Sequence, residues 1–384
     1  MDIYQVGNIE DRKKFLKDLK VHGGGVSIMA NKMELLFFLI KDLKTPAVNI
    51  LKQDALSVGA DLAVPSGVIT FEEEYYDCLL IGTKKHIEIL SYKELAQPFG
   101  LRKLAQELRE FIKKINYPTQ IMGIINANDD SFFKGSRFQK NDAIKKIEEM
   151  IKDGADIIDI GGVSSRPNAK EVDSREELNR VRPICSAIRK RKLYKRVSFS
   201  IDSYQPKVIE YALKSGFNIV NDITGGSNNR VIELAVKYKA KLCIMHKKGT
   251  PQNMQDNPTY SDVMVEVNNF FEERVKKALS LGMKRQDIIL DVGIGFGKTL
   301  EHNLALINNM THFKKFKSPI LIGASRKSLI DNIIPTPIED RLAGTLAIHL
   351  KAISNGANII RCHDVKEHKQ AIEVWKAMSP SYPI

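Results

Sequence analysis

A (β/α)8 barrel preceded by a smaller α/β domain is expected from two regularities. Eight short apolar runs each end in a polar residue, and the runs alternate with stretches of helical periodicity. Glycines follow four of those stretches at Gly154, Gly216, Gly282 and Gly356, where a left-handed cap residue ends a helix. The runs are Gln120–Ile125 before Asn126, Ile157–Ile158 before Asp159, Val197–Ile201 before Asp202, and Ile219–Val220 before Asn221. Leu242–Met245 before His246, Ile288–Leu290 before Asp291, Ile320–Gly323 before Ser325, and Asn358–Ile360 before Arg361 complete the set. In such a barrel the strand C-termini share one face, where the active site is built.

Helical periodicity is expected near Asn141–Asp153, Arg175–Arg191, Pro206–Lys214, Arg230–Lys239, Ser261–Leu281, Glu301–Asn309, Ile338–Ser354 and Val365–Met378. Pro206 opens its helix, where a missing N–H costs nothing. Val365, Ile372, Trp375 and Met378 share one helix face, so the single tryptophan reads as packing. Residues 1–115 have a different character and are assigned to a small α/β domain with no catalytic motif. Lys32–Leu43 and Leu101–Ile115 look helical there, and Ala47–Leu51, Val68–Phe71 and Cys78–Ile81 look strand-like. Pro118 disfavours helix at Tyr117, so the barrel domain is taken as 116–384.

A chain of 384 residues holds one barrel of about 250 residues and a small domain. The longest apolar stretch, Leu35–Ile40, is too short to span a bilayer, and the start lacks a secretory leader's pattern. Cys78, Cys185, Cys243 and Cys362 form no CxxC pair, which argues for reduced thiols and a cytoplasmic protein. The net charge of +13 suits anionic partners. Its densest runs, Arg189–Lys192, Lys195-Arg196 and Lys314-Lys315 with Lys317, precede strands and so fall on the opposite face from the site. Solvated helix ends explain these runs better than a binding patch does, and no RNA-recognition or zinc-finger motif appears, so neither nucleic acid nor membrane is expected as a partner.

The loop Asp291-Val292-Gly293-Ile294-Gly295-Phe296-Gly297-Lys298-Thr299 nearly matches a P-loop, but Val292 stands where the first glycine belongs. Its three alternating glycines would let a flat ligand approach closely, with Phe296 as a lid. Asp159–Pro167 offers glycine amides, two hydroxyls and the Arg166 guanidinium to an anion. Asn126–Ser131 is rich in oxygen ligands suited to Mg2+ shared with a phosphate. Arg361 and His363, two apart on a strand end, face the same way and would grip a pyrophosphate. Asp202, Asn221 and Asp291 at one mouth suit the amino and ring N–H edge of a purine-like or pterin-like heterocycle.

Taken together these residues resemble the dihydropteroate synthase family of folate biosynthesis, from about Gln120 to Met378. The resemblance rests on Met122–Asn126, Asp130-Ser131-Phe132, Asp159–Gly162, Ser164–Pro167, Ser200–Ser203, Asn221–Ile223, Met245-His246, Gly295–Lys298, Ser325–Ser328 and Arg361 with His363-Asp364. It implies condensation of 6-hydroxymethyl-7,8-dihydropterin pyrophosphate with p-aminobenzoate, in a family that sulfonamides target. It also implies Asn126 as a Mg2+ ligand, and Asp202, Asn221, Asp291 and Lys327 around the pterin. Ser165, Arg361 and His363 would meet the pyrophosphate, and Arg166, Pro167, Phe296 and Ser328 the p-aminobenzoate. A homodimer is implied as well. Departures from the family pattern are Asn128-Asp129, Val163, Ser165, Val292 and the extra charge of Lys247-Lys248. A barrel methyltransferase acting on methyl-tetrahydrofolate resembles the same pocket, but it has no need of Arg361, His363 or Asn126 with Mg2+.

Overall fold

The computed structural model describes residues 3, 6, 9, 11–113, 115–127, 140–163, 172–250, 253–254 and 256–378. The chain divides into two compact units, Met1–Lys114 with Lys376–Ile384, and Ile115–Trp375.

In the first unit, α1 (Arg12–Asp18) and α2 (Gly23–Lys32) precede β1 (Leu35–Lys44), α3 (Thr45–Val58), β2 (Asp61–Ala63), β3 (Tyr75–Thr83), α4 (Lys84–Lys93) and α5 (Leu101–Ile112). The antiparallel sheet has the order β1-β3-β2. Three expectations fail here. Lys32–Leu43 is not helical, because β1 occupies Leu35–Lys44. Six consecutive apolar residues satisfy either periodicity, and pairing with β3 settles it by turning Leu36, Phe38 and Ile40 toward the core. Ala47–Leu51 is helix rather than strand. Pro46 sits in the first turn of α3, and Ala47, Val48, Leu51 and Ala55 form its buried stripe. Val68–Phe71 is a turn, with Phe71 at φ 55, whereas Cys78–Ile81 lies in β3 as expected.

Eight parallel strands close the second unit into a barrel: β4 (Gln120–Asn126), β5 (Ile157–Gly161), β6 (Ser198–Asp202), β7 (Ile219–Asp222), β8 (Lys241–Met245), β9 (Ile288–Asp291), β10 (Ile320–Ile322) and β11 (Ile359–Cys362). Between and after them run α6 (Lys140–Lys152), α7 (Ser174–Lys190), α8 (Pro206–Lys214), α9 (Asn229–Lys237), α10 (Val263–Ser280), α11 (Leu300–Asn308), α12 (Ser328–Ile333), α13 (Leu342–Ser354) and α14 (Val365–Ala377). The short α12 has no forerunner in the sequence pattern. Gly154, Gly216, Gly282 and Gly356 all take positive φ as cap residues. Val365 and Ile372 are buried and Trp375 packs on the core, but Met378 is exposed and leaves that stripe.

Strand parity positions the site. Met122, Ile157, Ile219, Cys243, Ile289, Leu321 and Ile359 form one apolar cluster inside the barrel. Two residues further along their strands stand Asp159, Asn221, Asp291 and Arg361, and by the same alternation Asn126 and His363 come two residues beyond that layer. An apolar plug thus floors a polar mouth. All four cysteines are buried and free. Among the described residues no helix is long and apolar enough to cross a membrane.

Glu94 is a titratable anomaly in the first unit. It has no exposed surface, and its carboxyl lies beside that of Asp54. Burial, and then the neighbouring Asp54 carboxylate, push its carboxyl up to about 7. Folding therefore favours the protonated acid, and stability is lost as the pH rises from about 4.5 through about 7. Glu94→Gln should remove that loss, and melting temperatures of both proteins at the two ends of the window check it.

Candidate active site

One guanidinium organises the barrel mouth. Arg361 Nε donates to Asp159 Oδ2 at 2.7 Å, and Arg361 Nη2 donates to Asp202 Oδ2 at 2.7 Å. Asn221 Nδ2 donates to the same Asp159 oxygen at 3.0 Å. Asp159 Oδ1 is buried and has no partner. Burial pushes the Asp202 carboxyl up to about 7 against the pull of Arg361. For Arg361 itself burial opposes the charge, but Asp159 and Asp202 outweigh it and hold the guanidinium above the ordinary arginine value. Asp159 was visible only as a strand-end residue. Its inward parity on β5, shared with Ile157, was the signal that identifies it.

Asp291 ends β9 and turns the chain into the glycine loop. Its Oδ1 accepts from Gly293 N–H at 2.8 Å, and burial raises its carboxyl. Two of the loop's three glycines are required by neighbouring backbone, whatever ligand they also admit. At φ 67, a Cβ on Gly293 would stand 1.8 Å from His246 O, and at φ 64 one on Gly297 would stand 2.2 Å from Lys248 O. The loop lies against the backbone after β8, which only glycine permits. Lys298 fastens this contact. Its buried ammonium donates to Gly293 O at 3.0 Å and Phe296 O at 3.1 Å, and lies 3.0 Å from His246 Nδ1. Burial pulls Lys298 down to about 7, and burial with Lys298 pulls His246 down to about 2. A neutral His246 Nδ1 accepts a hydrogen bond from the Lys298 ammonium. Sequence reading left both residues without a role, since their partners are backbone carbonyls brought in by the fold.

Lys327, after β10, donates to Ile294 O and sits 4.5 Å over the Phe296 ring. Burial lowers it to about 8 despite Asp291. Ser325 Oγ and His363 Nδ1 are 2.8 Å apart, and burial with Arg361 lowers His363 to about 3. Ser328 is exposed at the start of α12. Arg326 faces away, its Nε and Nη2 clamping Asp364 at 3.0 and 2.9 Å. Asn126 ends β4. A Cβ on Gly161 would stand 3.6 Å from Asn126 Oδ1 and 3.7 Å from Asp202 Oδ2, which puts two oxygen donors around one small space. No cluster of three His, Cys, Asp or Glu ligands exists among the described residues. Ser165, Arg166 and Pro167 lie outside the described residues, as does the segment 128–139. The extra charge of Lys248 is absorbed by Glu266 at 2.9 Å and the Tyr260 ring at 4.2 Å.

The model of the pterin binding enzyme family matches residues 122–363. A bifunctional dihydropteroate synthase/dihydropteroate reductase of Helicobacter pylori is 42% identical over 94% of this chain and 92% of its own length. The dihydropteroate synthase of Haemophilus influenzae is 41% identical over 67% of this chain and 93% of its own. The chain belongs to the dihydropteroate synthase family. It is a transferase of folate biosynthesis, as the sequence motifs imply. The crystal structure of the Yersinia pestis synthase with a sulfonamide drug has a TM-score of 0.65 at 35% identity, covering 69% of this chain and 98% of that one.

Lys298→Met removes the donor that several loop carbonyls share and leaves them buried. Its cost should be on the order of 2–4 kcal/mol, read as a fall in melting temperature. An unchanged melting curve would show that the glycine loop holds its shape without the amine.

Proposed function

We propose that the barrel mouth joins 6-hydroxymethyl-7,8-dihydropterin pyrophosphate to p-aminobenzoate, with Asp202, Asn221, Asp291 and Lys327 holding the pterin. Ser165, Arg361 and His363 take the pyrophosphate side. Arg166, Pro167, Phe296 and Ser328 surround p-aminobenzoate. The observation that carries this reading is the inward Arg361 among Asp159, Asp202 and Asn221, directly above an apolar floor. Asp159, with one buried carboxylate oxygen unpartnered, joins the pterin set as an acceptor for the heterocycle's N–H edge.

The chemistry follows from charge placement. As the C–O bond to pyrophosphate breaks, its electron pair leaves with the phosphate oxygen, and positive charge spreads from the methylene into the pterin ring. Carboxylates at Asp159, Asp202 and Asp291 stabilise that cation, and Arg361 stabilises the departing anion. The aniline nitrogen of p-aminobenzoate then forms the new C–N bond and releases its proton to water. No strong base is needed. Asn126 Oδ1, close to the space it shares with Asp202, fits an oxygen-seeking Mg2+. When bound there, Mg2+ would neutralise pyrophosphate charge. A homodimer is proposed from the family resemblance, and light scattering of the purified chain tests it.

Incubation of the full chain with pterin pyrophosphate, p-aminobenzoate and Mg2+ should yield dihydropteroate. Arg361→Ala loses the leaving-group contact and leaves Asp159 and Asp202 unpaired. Turnover should fall by about a hundredfold or more, measured as pyrophosphate release. Unchanged turnover would remove Arg361 from the reaction.

One observation favours a second activity. The Helicobacter pylori match spans 94% of the chain and so takes in the first unit, whereas the Haemophilus influenzae match spans 67%. The Helicobacter protein's name calls that protein a dihydropteroate reductase as well, and we propose that this chain too reduces dihydropteroate, to the tetrahydro form. The full chain supplied with dihydropteroate and a reduced nicotinamide should oxidise the nicotinamide. A folded chain beginning at Asn116 should keep synthesis and lose reduction. Reduction at the full rate by that shorter chain would overturn the assignment to residues 1–115.

A further inference from the structure

Behind the loops that follow β10 and β11, two histidines share a hydrogen bond in the core. His349 on α13 and His368 on α14 are each 1% exposed, with His349 Nδ1 and His368 Nε2 2.8 Å apart. Both outer nitrogens are also engaged. Ala324 N–H donates to His349 Nε2 at 3.1 Å, and His368 Nδ1 lies 2.6 Å from Asp364 O.

These partners leave one proton arrangement. A backbone N–H only donates, so His349 Nε2 is bare and its proton is on Nδ1. That proton is donated to His368 Nε2, so the His368 proton is on Nδ1 and is donated to the Asp364 carbonyl. The chain of bonds runs Ala324 N–H, His349, His368, Asp364 C=O, and it exists only while both imidazoles are neutral. An added proton has nowhere to sit without putting two donors face to face. Ala324 precedes Ser325-Arg326-Lys327, and Asp364 follows Arg361 and His363.

The loop that this chain holds is strained and tied from several sides. Arg326 is a non-glycine residue at φ 55. Its N–H donates at 3.0 Å to Thr345 Oγ1, one turn before His349 on α13. The Arg326 guanidinium clamps Asp364, and Ser325 Oγ meets His363 Nδ1. The histidine pair thus closes a ring of bonds between the loop of Ser325 and Lys327 and the loop of Arg361 and His363.

We propose that His349 and His368 are a positioning couple that sets the spacing of these two loops, and with it the grip on the pyrophosphate end of the substrate, only while both rings are uncharged. The proposal rests on the reading of Arg361 and His363 as pyrophosphate contacts. The surroundings agree with neutrality. Burial, then His368, Lys327 and His363, hold His349 well below the ordinary histidine value. Burial lowers His368 too, opposed by Asp364 and Glu367 and aided by Arg326. Both folded-state values lie below the unfolded one, so the stability contributed by the neutral pair is fully present above about pH 6.5 and declines as the pH falls from there. The rings of the folded protein take up protons, and the arrangement is lost, only as the pH falls through their lower folded values.

The test compares wild type, His368→Leu and His368→Gln as full chains. Gln supplies one acceptor and one donor and does not titrate. His368→Leu should raise the KM for pterin pyrophosphate about tenfold at neutral pH, equivalent to one lost hydrogen bond, with the KM for p-aminobenzoate little changed. Its Ala324 amide should exchange faster with deuterium. His368→Gln should restore the KM at neutral pH and move the acid rise in KM to lower pH than in wild type. A folded His368→Leu chain with wild-type KM, amide protection and pH profile would overturn the proposal. So would a Gln chain with the wild-type acid profile. If Arg361→Ala also leaves KM and turnover unchanged, the pyrophosphate assignment has failed. If Arg361→Ala is impaired and His368→Leu is not, the positioning couple alone has failed.

Discussion

The mouth of this barrel depends on a single guanidinium held between two carboxylates. Arg361 reaches Asp159 on β5 and Asp202 on β6 from β11, across β4. Taking three charges out of water is expensive, and only near-ideal geometry with further hydrogen bonds offsets the cost. Asn221 supplies one such bond to Asp159. Removing any partner leaves a buried charge uncompensated, so the residues proposed to meet substrate also hold the upper barrel together. The exception is Asp159 Oδ1, which is buried with no hydrogen-bond partner.

Around this centre the loops are set mainly by backbone acceptors. The glycine loop after β9 is pressed on the backbone after β8 and fastened by Lys298. The loops after β10 and β11 are joined through Ser325, Arg326 and the two core histidines. Lysines with lowered proton affinity, Lys298 near 7 and Lys327 near 8, stand among carboxylates with raised affinity. Such opposed shifts arise where charges are desolvated together, a pattern that clusters at functional sites. The cationic intermediate and the anionic leaving group would each find opposite charge in place before the bond breaks.

Most of the barrel was legible because its signals are local. Strands of three to seven residues leading to a polar residue, helices capped by glycine and a proline opening α8 need no distant partner to be recognised. Inward parity likewise places Asp291, Asn221 and Arg361 in the mouth. The first unit was less legible. Leu35–Ile40 is apolar at every position, so neither period two nor period 3.6 stands out, and β3 across the sheet decided for strand. Ala47–Leu51 is too short a run to separate strand from helix until the whole of α3 is seen packed against the sheet.

The sequence by itself determined the alternation of elements, the face on which polar side chains gather and the family to which those side chains belong. Tertiary structure decided what each group touches. Gly293 and Gly297 proved to accommodate neighbouring backbone, Asp159 became the shared acceptor of Arg361 and Asn221, and His349 found His368 across two helices. The reason is physical. Periodicity follows from backbone geometry within one element, whereas a hydrogen bond between elements depends on ångström-scale distances that arise only when the whole barrel has closed.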